Sequence, residues 1–533
     1  MGSEMLLRGG DIITLDGGNP RPEALAVRDG TIAASGDVSH CRSALDGPFE
    51  EIDLNGGALV PGFIDSHMHP TVLVFFELNV NLHGATSLAH LQHRLREEAG
   101  LKQPGEWVIG LNFDEQGFDV PRMPSGADLD EACPGRPVMV LKHDGHCVIA
   151  GATALEAAGI NANTPDPEGG IIERDESGRP TGVLRESAVA LLLAAMPFPD
   201  EPSLKRGAAA AFQRLSSLGV TTVGAILQSG AEGPAGGVGA FDIPLMGMFS
   251  EFIPQHIRAY VTVSDIAGLD ALQGSALHMP SAVPFRKIGG IKLYADGTFS
   301  TSSAYMDEPF ADSPGNRGFL LHGEDVLYRC MEDAHLRGYQ VLIHSIGDAS
   351  NRVCVELYRR LLTAHPKNDH RHRIEHASQL NPSIIADMAG LGIVASVQPM
   401  FMYSEKDWLH RRLGRQRLRY TYPFKSMMES GIIVAGASDA PIESPDVLRA
   451  ISCCVNRDGF GPEERITAEQ ALKMYTTNAA FSLREETARG SLSPGRCADM
   501  VLLERDPMAA PADSIAGIKV LRTFIAGKTV YRA

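Results

Sequence analysis

LVPGFIDSHMHP, Leu59 to Pro70, is the stretch from which the fold is read. An apolar run ends in two histidines one residue apart. A strand alternates faces with period two, so His67 and His69 point to one side and Met68 to the other. Two imidazoles projecting from one strand end can be half of a metal site. They can equally be two polar residues leaving a strand for a loop, and the rest of the chain has to decide.

Seven further strand-like runs follow: VTTVGAIL (220–227), IRAYVTV (257–263), IGGIKLYADG (288–297), YQVLIHSIGD (339–348), HRIEHAS (372–378), GIVASVQP (392–399) and GIIVAGASDAP (431–441). Helical patterns lie between several of them, such as EDVLYRCMEDAHLRG before the fifth strand and NPSIIADMAGLG before the seventh. Alternating strands and helices imply a parallel sheet, and eight such units predict an α/β fold of the (β/α)8 TIM-barrel type. Residues 1–58 and 486–533 read instead as short strands broken by Asp-Gly and Gly-Gly turns, so a small composite β-sandwich built from both termini is expected. The barrel then spans 59–485. Residues 70–205, too long for a loop, form an inserted subdomain after strand one.

With 533 residues the chain can bury a large core beside a smaller domain. A formal net charge of −17 argues against nucleic acid or an anionic membrane as partner. The first residues lack a basic segment followed by an apolar one, so no signal peptide is expected. No apolar run reaches the roughly 18 residues of a membrane helix. The eight cysteines are scattered without a C-x-x-C pair and read as reduced thiols of a cytoplasmic protein. A homodimer is the default oligomer.

In such a barrel the C-terminal strand ends face the active site. Read in order, they carry His67 and His69 on strand one, Lys292 on strand four, His344 on strand five, His376 on strand six and Asp439 on strand eight. Singly, each histidine could be a hydrogen-bonded core residue and Asp439 a helix cap or turn former. Together they are a donor set suited to Zn²⁺, Mn²⁺ or Fe²⁺. Lys292 interrupts an apolar strand, where a bare ammonium is expensive to bury. Desolvation would free its neutral amine to take up CO2 as a carbamate. The competing reading pairs it with Asp296 or another carboxylate.

PGFIDSHMH, GIKLYADG, VLIHSIGDA, RIEHAS, GASDAP and GSLSPGRCADMVLLERDP together resemble the metal-dependent amidohydrolase superfamily, and within it the amidohydrolase 3 branch that includes N-substituted formamide deformylases. The resemblance covers nearly the whole chain, including KHDGHC and GRPTGVLRE in the insertion. It implies His67, His69, His344, His376 and Asp439 as metal ligands and Lys292 as a carboxylated, bridging ligand. Tyr294 and Thr298 stand where the family often has Phe and Ser. The implied reaction is hydrolysis of a small-molecule amide C–N bond by hydroxide generated at the metal, with Asp439 passing a proton to the leaving nitrogen.

His143, Asp144 and His146 in KHDGH, Glu186 in TGVLRE and Gln398 in SVQP are candidate substrate contacts; His143 and His146 could alternatively form a second metal site or a plain loop. His372 in HRHRIEH reads as a surface or turn residue. Hydrolytic deamination of a heterocycle is the main alternative activity, and Lys292 argues against it. A metal-free binding protein on the same fold would have lost ligands that this chain keeps. A phosphoesterase would want a phosphate loop or arginine cluster that the strand ends lack.

Overall fold

The computed structural model describes residues 4–120, 122–142, 147–167, 170–186, 188–228, 241–262 and 288–533. Its centre is an eight-stranded parallel sheet of β1 (Phe63–Met68), β2 (Val220–Gln228), β3 (His256–Thr262), β4 (Ile288–Tyr294), β5 (Gln340–Ser345), β6 (Arg373–His376), β7 (Val394–Val397) and β8 (Val434–Gly436). The strands pair in chain order from β1 to β8. Past their ends, the Asp439 N–H donates to the His67 carbonyl and the His69 N–H to that of Ala440, both at 2.8 Å, so β8 meets β1 and the sheet curls into a barrel. The eight expected strands are the eight observed.

Both faces of these strands are covered, which explains their apolar runs: every residue of β2, β5 and β6 is buried. Gly224 shows how closely β2 approaches β1, since a Cβ there would lie 2.2 Å from the Ser66 carbonyl oxygen. The outer helices begin and end where their sequence dictates. In Pro382–Leu391, Asn381 accepts the N–H groups of Ser383 and Ile384, Pro382 takes the first helical position, and Gly392 closes the helix at φ 67°.

A four-stranded sheet runs in the order Thr31–Gly36, Ala24–Arg28, Glu4–Arg8, Phe49–Asp53. A five-stranded one runs Asp11–Ile12, Ala58–Pro61, Met500–Leu503, Val520–Ile525, Lys528–Arg532. Strands from both chain ends thus share one sheet, and Leu7, Val27, Leu59, Met500 and Phe524 share one core. The chain divides into two compact units, Met1–Thr71 with Ala211–Ala533, and Val72–Ala210. The second has its own six-stranded sheet, and period two sorts its side chains onto two cores. Val138 and Val140 go to one and Met139 to the other; Cys147 and Ile149 go to one and Val148 to the other.

One expectation is overturned. His372 is not a surface or turn residue but is 1% exposed, stacked on Tyr358 with ring centroids 5.5 Å apart. Its Nδ1 accepts the Val341 N–H at 3.0 Å, so its proton sits on Nε2 and is donated to His335 Nδ1 at 2.8 Å; His335 Nε2–H then donates to the His365 carbonyl. His370 Nδ1 accepts the His372 N–H, and its Nε2–H goes to the Leu391 carbonyl. Every ring is neutral in one tautomer, and an added proton would set two donors against each other. Burial accordingly pushes the basicity of His335, His370 and His372 down. The unfolded chain therefore binds protons that the fold refuses. Stability is full above the unfolded histidine value of about 6.5 and falls as pH drops below it. Measured against the native protein at each pH, the Tm of His370→Gln should rise as pH falls from 7.5 to 5; a difference between the two that does not change with pH would refute this.

Candidate metal centre

Six side chains selected by strand-end position belong to one unit of the structure, and all but His69 are at least nine-tenths buried. Two of them leave their strands by an uncommon turn. His376 has φ 72° and Asp439 φ 59°, the left-handed region that non-glycine residues adopt uncommonly. One donor atom each from His67, His376 and Asp439 lie within 4.8 Å of one another. Asp439 Oδ1 is 3.2 Å from His67 Nε2 and 3.1 Å from His69 Nε2. The His344 ring sits 4.4 Å from that of His376, centroid to centroid.

The outward nitrogen of three rings is already committed. His67 Nδ1–H donates to Glu375 Oε2 at 2.5 Å, His376 Nδ1–H to Gln398 Oε1 at 2.8 Å, and His344 Nε2–H to the Gly297 carbonyl at 3.2 Å. For His344 and His376, which burial keeps neutral, the remaining nitrogen is then a lone pair, which is the form a cation needs. Burial, reinforced by Lys292, pushes His344 down to about 3, and burial with His344 holds His376 well below the usual imidazole range. Burial opposes ionisation of Asp439, yet His67 and His69 outweigh it and hold the carboxyl well below its usual range.

Lys292 is 1% exposed, and its Nζ has no hydrogen-bond partner among the described residues. Asp296, the carboxylate that could have paired with it, instead accepts the backbone N–H groups of Tyr305, Ile346 and Gly347 at 2.9–3.0 Å, tying the loops after β4 and β5 together. The nearest aromatic face is Tyr294, whose ring centroid is 5.0 Å from Nζ. Burial pushes the amine down to about 8 despite the attraction of Glu375 and Asp439. A buried amine without a partner, among imidazole lone pairs and a carboxylate, fits a centre completed by a divalent cation.

Gln398 is buried beside this cluster. Its carbonyl orients His376, and its Nε2 has no partner among the described residues. Glu186 ends the strand Pro180–Glu186 of the second unit, and its side chain lies outside what is described. His143, Asp144 and His146 lie outside the described residues. Two residues were missed by the sequence reading: Glu375, which holds His67, and Arg373, which holds Glu375 at 2.6 Å. Their one sequence signal is period two, which puts both charges on the same face of a strand otherwise read as buried.

Residues 50–531 match the family described as the amidohydrolase family. The chain is 30% identical over 544 residues to YtcJ of Bacillus subtilis (strain 168), which bears an amidohydrolase name; the match covers 98% of each chain. It is 27% identical over 548 residues to the N-substituted formamide deformylase of Arthrobacter pascens, covering 99% of this chain and 98% of that one. Its fold superposes with a TM-score of 0.74 on an uncharacterized metal-dependent hydrolase from Pyrococcus furiosus, at 26% identity, over 95% of this chain and 100% of the other.

Proposed function

The chain belongs to the amidohydrolase family, and from that premise we propose that it hydrolyses the C–N bond of a small amide: an N-substituted formamide, an N-acyl amine or a cyclic amide. The metal ligands in this reading are His67, His69, His344, His376 and Asp439, with Lys292 as a carbamate. Zn²⁺ suits the nitrogen-rich set best, and Mn²⁺ or Fe²⁺ would also be held. The observation that carries the reading is the buried Lys292 Nζ, without a hydrogen-bond partner among the described residues and close to His344 and His376, which burial keeps neutral. A metal-free barrel gains nothing from such a group.

A divalent cation here would supply Lewis acidity toward the amide carbonyl and lower the pKa of water beside it from 15.7 to about 7. The protein's own residues do the rest. His344 and His376 donate their outward N–H groups to the Gly297 carbonyl and Gln398, which leaves an inward lone pair on each, and Glu375 holds His67 by Nδ1. Asp439 is ionised, faces two imidazoles and can take a proton from the attacking water. It then hands that proton to the leaving nitrogen, without which an amine departs poorly. Gln398 Nε2 offers a free donor to substrate at the same side. His143, Asp144, His146 and Glu186 remain candidate substrate contacts.

Elemental analysis of the purified protein, alongside hydrolysis of a panel of N-formyl amines, N-acetyl amines and cyclic amides, tests this. One or two ions per chain, amine release that chelation abolishes, and recovery on adding zinc are the expected results. Ammonia release confined to amino-heterocycles would turn the reading to deamination. Activity undiminished in protein freed of metal would overturn it.

A further inference from the structure

We propose that Arg373 and Glu375 are positioning residues: a buried ion pair that fixes the His67 ring and sets how tightly the centre holds its cation. The inference rests on the metal reading above and goes further, to residues outside the ligand set.

β6 reads Arg373-Ile374-Glu375-His376. Period two turns Arg373 and Glu375 to the same side, and neither has any exposed surface. Arg373 Nε donates to Glu375 Oε1 at 2.6 Å and Nη2 to Oε2 at 2.9 Å, a two-pronged grip. Nη2 also donates at 2.9 Å to the carbonyl of Ser66, the residue before His67. The guanidinium carbon lies 5.1 Å from the centroid of the Tyr260 ring, whose hydroxyl donates to Gln340. One cation therefore holds both the carboxylate behind His67 and the backbone that carries His67.

Stability does not call for this arrangement. Taking two charges out of water costs several kcal/mol per ion, and replacing a buried pair with packed apolar side chains is often neutral or stabilising. What apolar residues could not supply is the contact from Glu375 Oε2 to His67 Nδ1 at 2.5 Å, the shortest bond either residue makes. An anion behind a ligating imidazole fixes its tautomer and orientation and makes its other nitrogen a stronger donor to a cation. His376 has a neutral amide behind it and His344 a backbone carbonyl. Among these three rings only His67 donates a hydrogen bond to a carboxylate, since Asp296 Oδ1 stands 3.8 Å from His344 Nε2, and His67 is the ring whose neighbours include both His69 and Asp439.

The test is zinc affinity, read by competition of apo-protein against a chromophoric chelator, so it does not depend on turnover. Three variants are compared with the native protein. Glu375→Gln removes the anion. Arg373→Met with Glu375→Gln removes both charges and spares the barrel an unpaired guanidinium. Glu375→Asp keeps both charges and draws the carboxylate one methylene back from His67. Thermal unfolding of each apo form reports folding. The expected result is a 10–100-fold loss of zinc affinity in the first two variants and a smaller loss in the third, in barrels that still melt cooperatively. Folded variants that bind zinc within about twofold of the native protein would overturn the inference and leave the metal reading intact. Failure of all three to fold would assign the pair to stability and also overturn it. Native apo-protein that takes up neither zinc nor manganese would defeat the metal reading itself and this inference with it.

Discussion

Lys292→Ala is expected to lose metal and activity together: ions per chain falling from about two to one or none, and amide hydrolysis dropping on the order of 10³-fold or more. The size of the effect follows from what the side chain is doing. Lys292 Nζ is buried without a hydrogen-bond partner among the described residues, and burial brings its amine down to about 8. At pH 8 about half of such amines are neutral, against below about 1% for an ordinary lysine. The neutral lone pair can attack the carbon of CO2, giving a carbamate and releasing one proton. Two oxygens sharing one negative charge would then stand where a lone ammonium would repel cations. Reconstitution of native apo-protein with zinc should therefore be faster and more complete with bicarbonate present, and Lys292→Ala should show no such response. Equal metal content in both proteins, with or without bicarbonate, would refute the bridging role.

The barrel was legible because its signals are local. Eight apolar runs, four of them ending in histidines or a carboxylate, need only strand periodicity to be placed; two-residue spacing puts His67 and His69 on one side, and the other strand ends make them candidate ligands. Lys292 was legible for the opposite reason, as a charge where an apolar strand should have none. Glu375 was hidden by proximity: in RIEHAS it reads as a charge beside the interesting histidine, and its target, His67, is 308 positions away. His372 was misread because HRHRIEH is polar along the chain, whereas burial there depends on Tyr358, Val341 and His335, which only the fold supplies. Gln398 was named for its place at the end of β7. Its hold on His376 Nδ1, which frees the other nitrogen, depends on a ring orientation that no spacing rule encodes. Residue type and strand position pick out the candidate ligands; which nitrogen each ring commits to a hydrogen bond is set by the fold.

Asp439→Asn separates the two duties that the proposed reaction assigns to one carboxylate. Asparagine keeps the shape and one oxygen near His67 and His69, so it remains a weak ligand, but it cannot carry a proton at neutral pH. With metal resupplied to the native content, kcat for an alkylamide should fall 10²–10⁴-fold while KM changes little, the range for removal of a positioned acid–base group. The loss should shrink when the leaving amine is made more acidic, as in an anilide bearing electron-withdrawing groups, because such a nitrogen departs with less help. A simple ligand role predicts something else: a deficit that follows metal occupancy and is the same for good and poor leaving groups. Measuring kcat against leaving-group pKa in both proteins at matched metal content distinguishes the two. A steeper dependence in Asp439→Asn supports the shuttle. Parallel lines would sink it, leaving Asp439 as a ligand and requiring the leaving nitrogen to draw its proton from another group or from solvent.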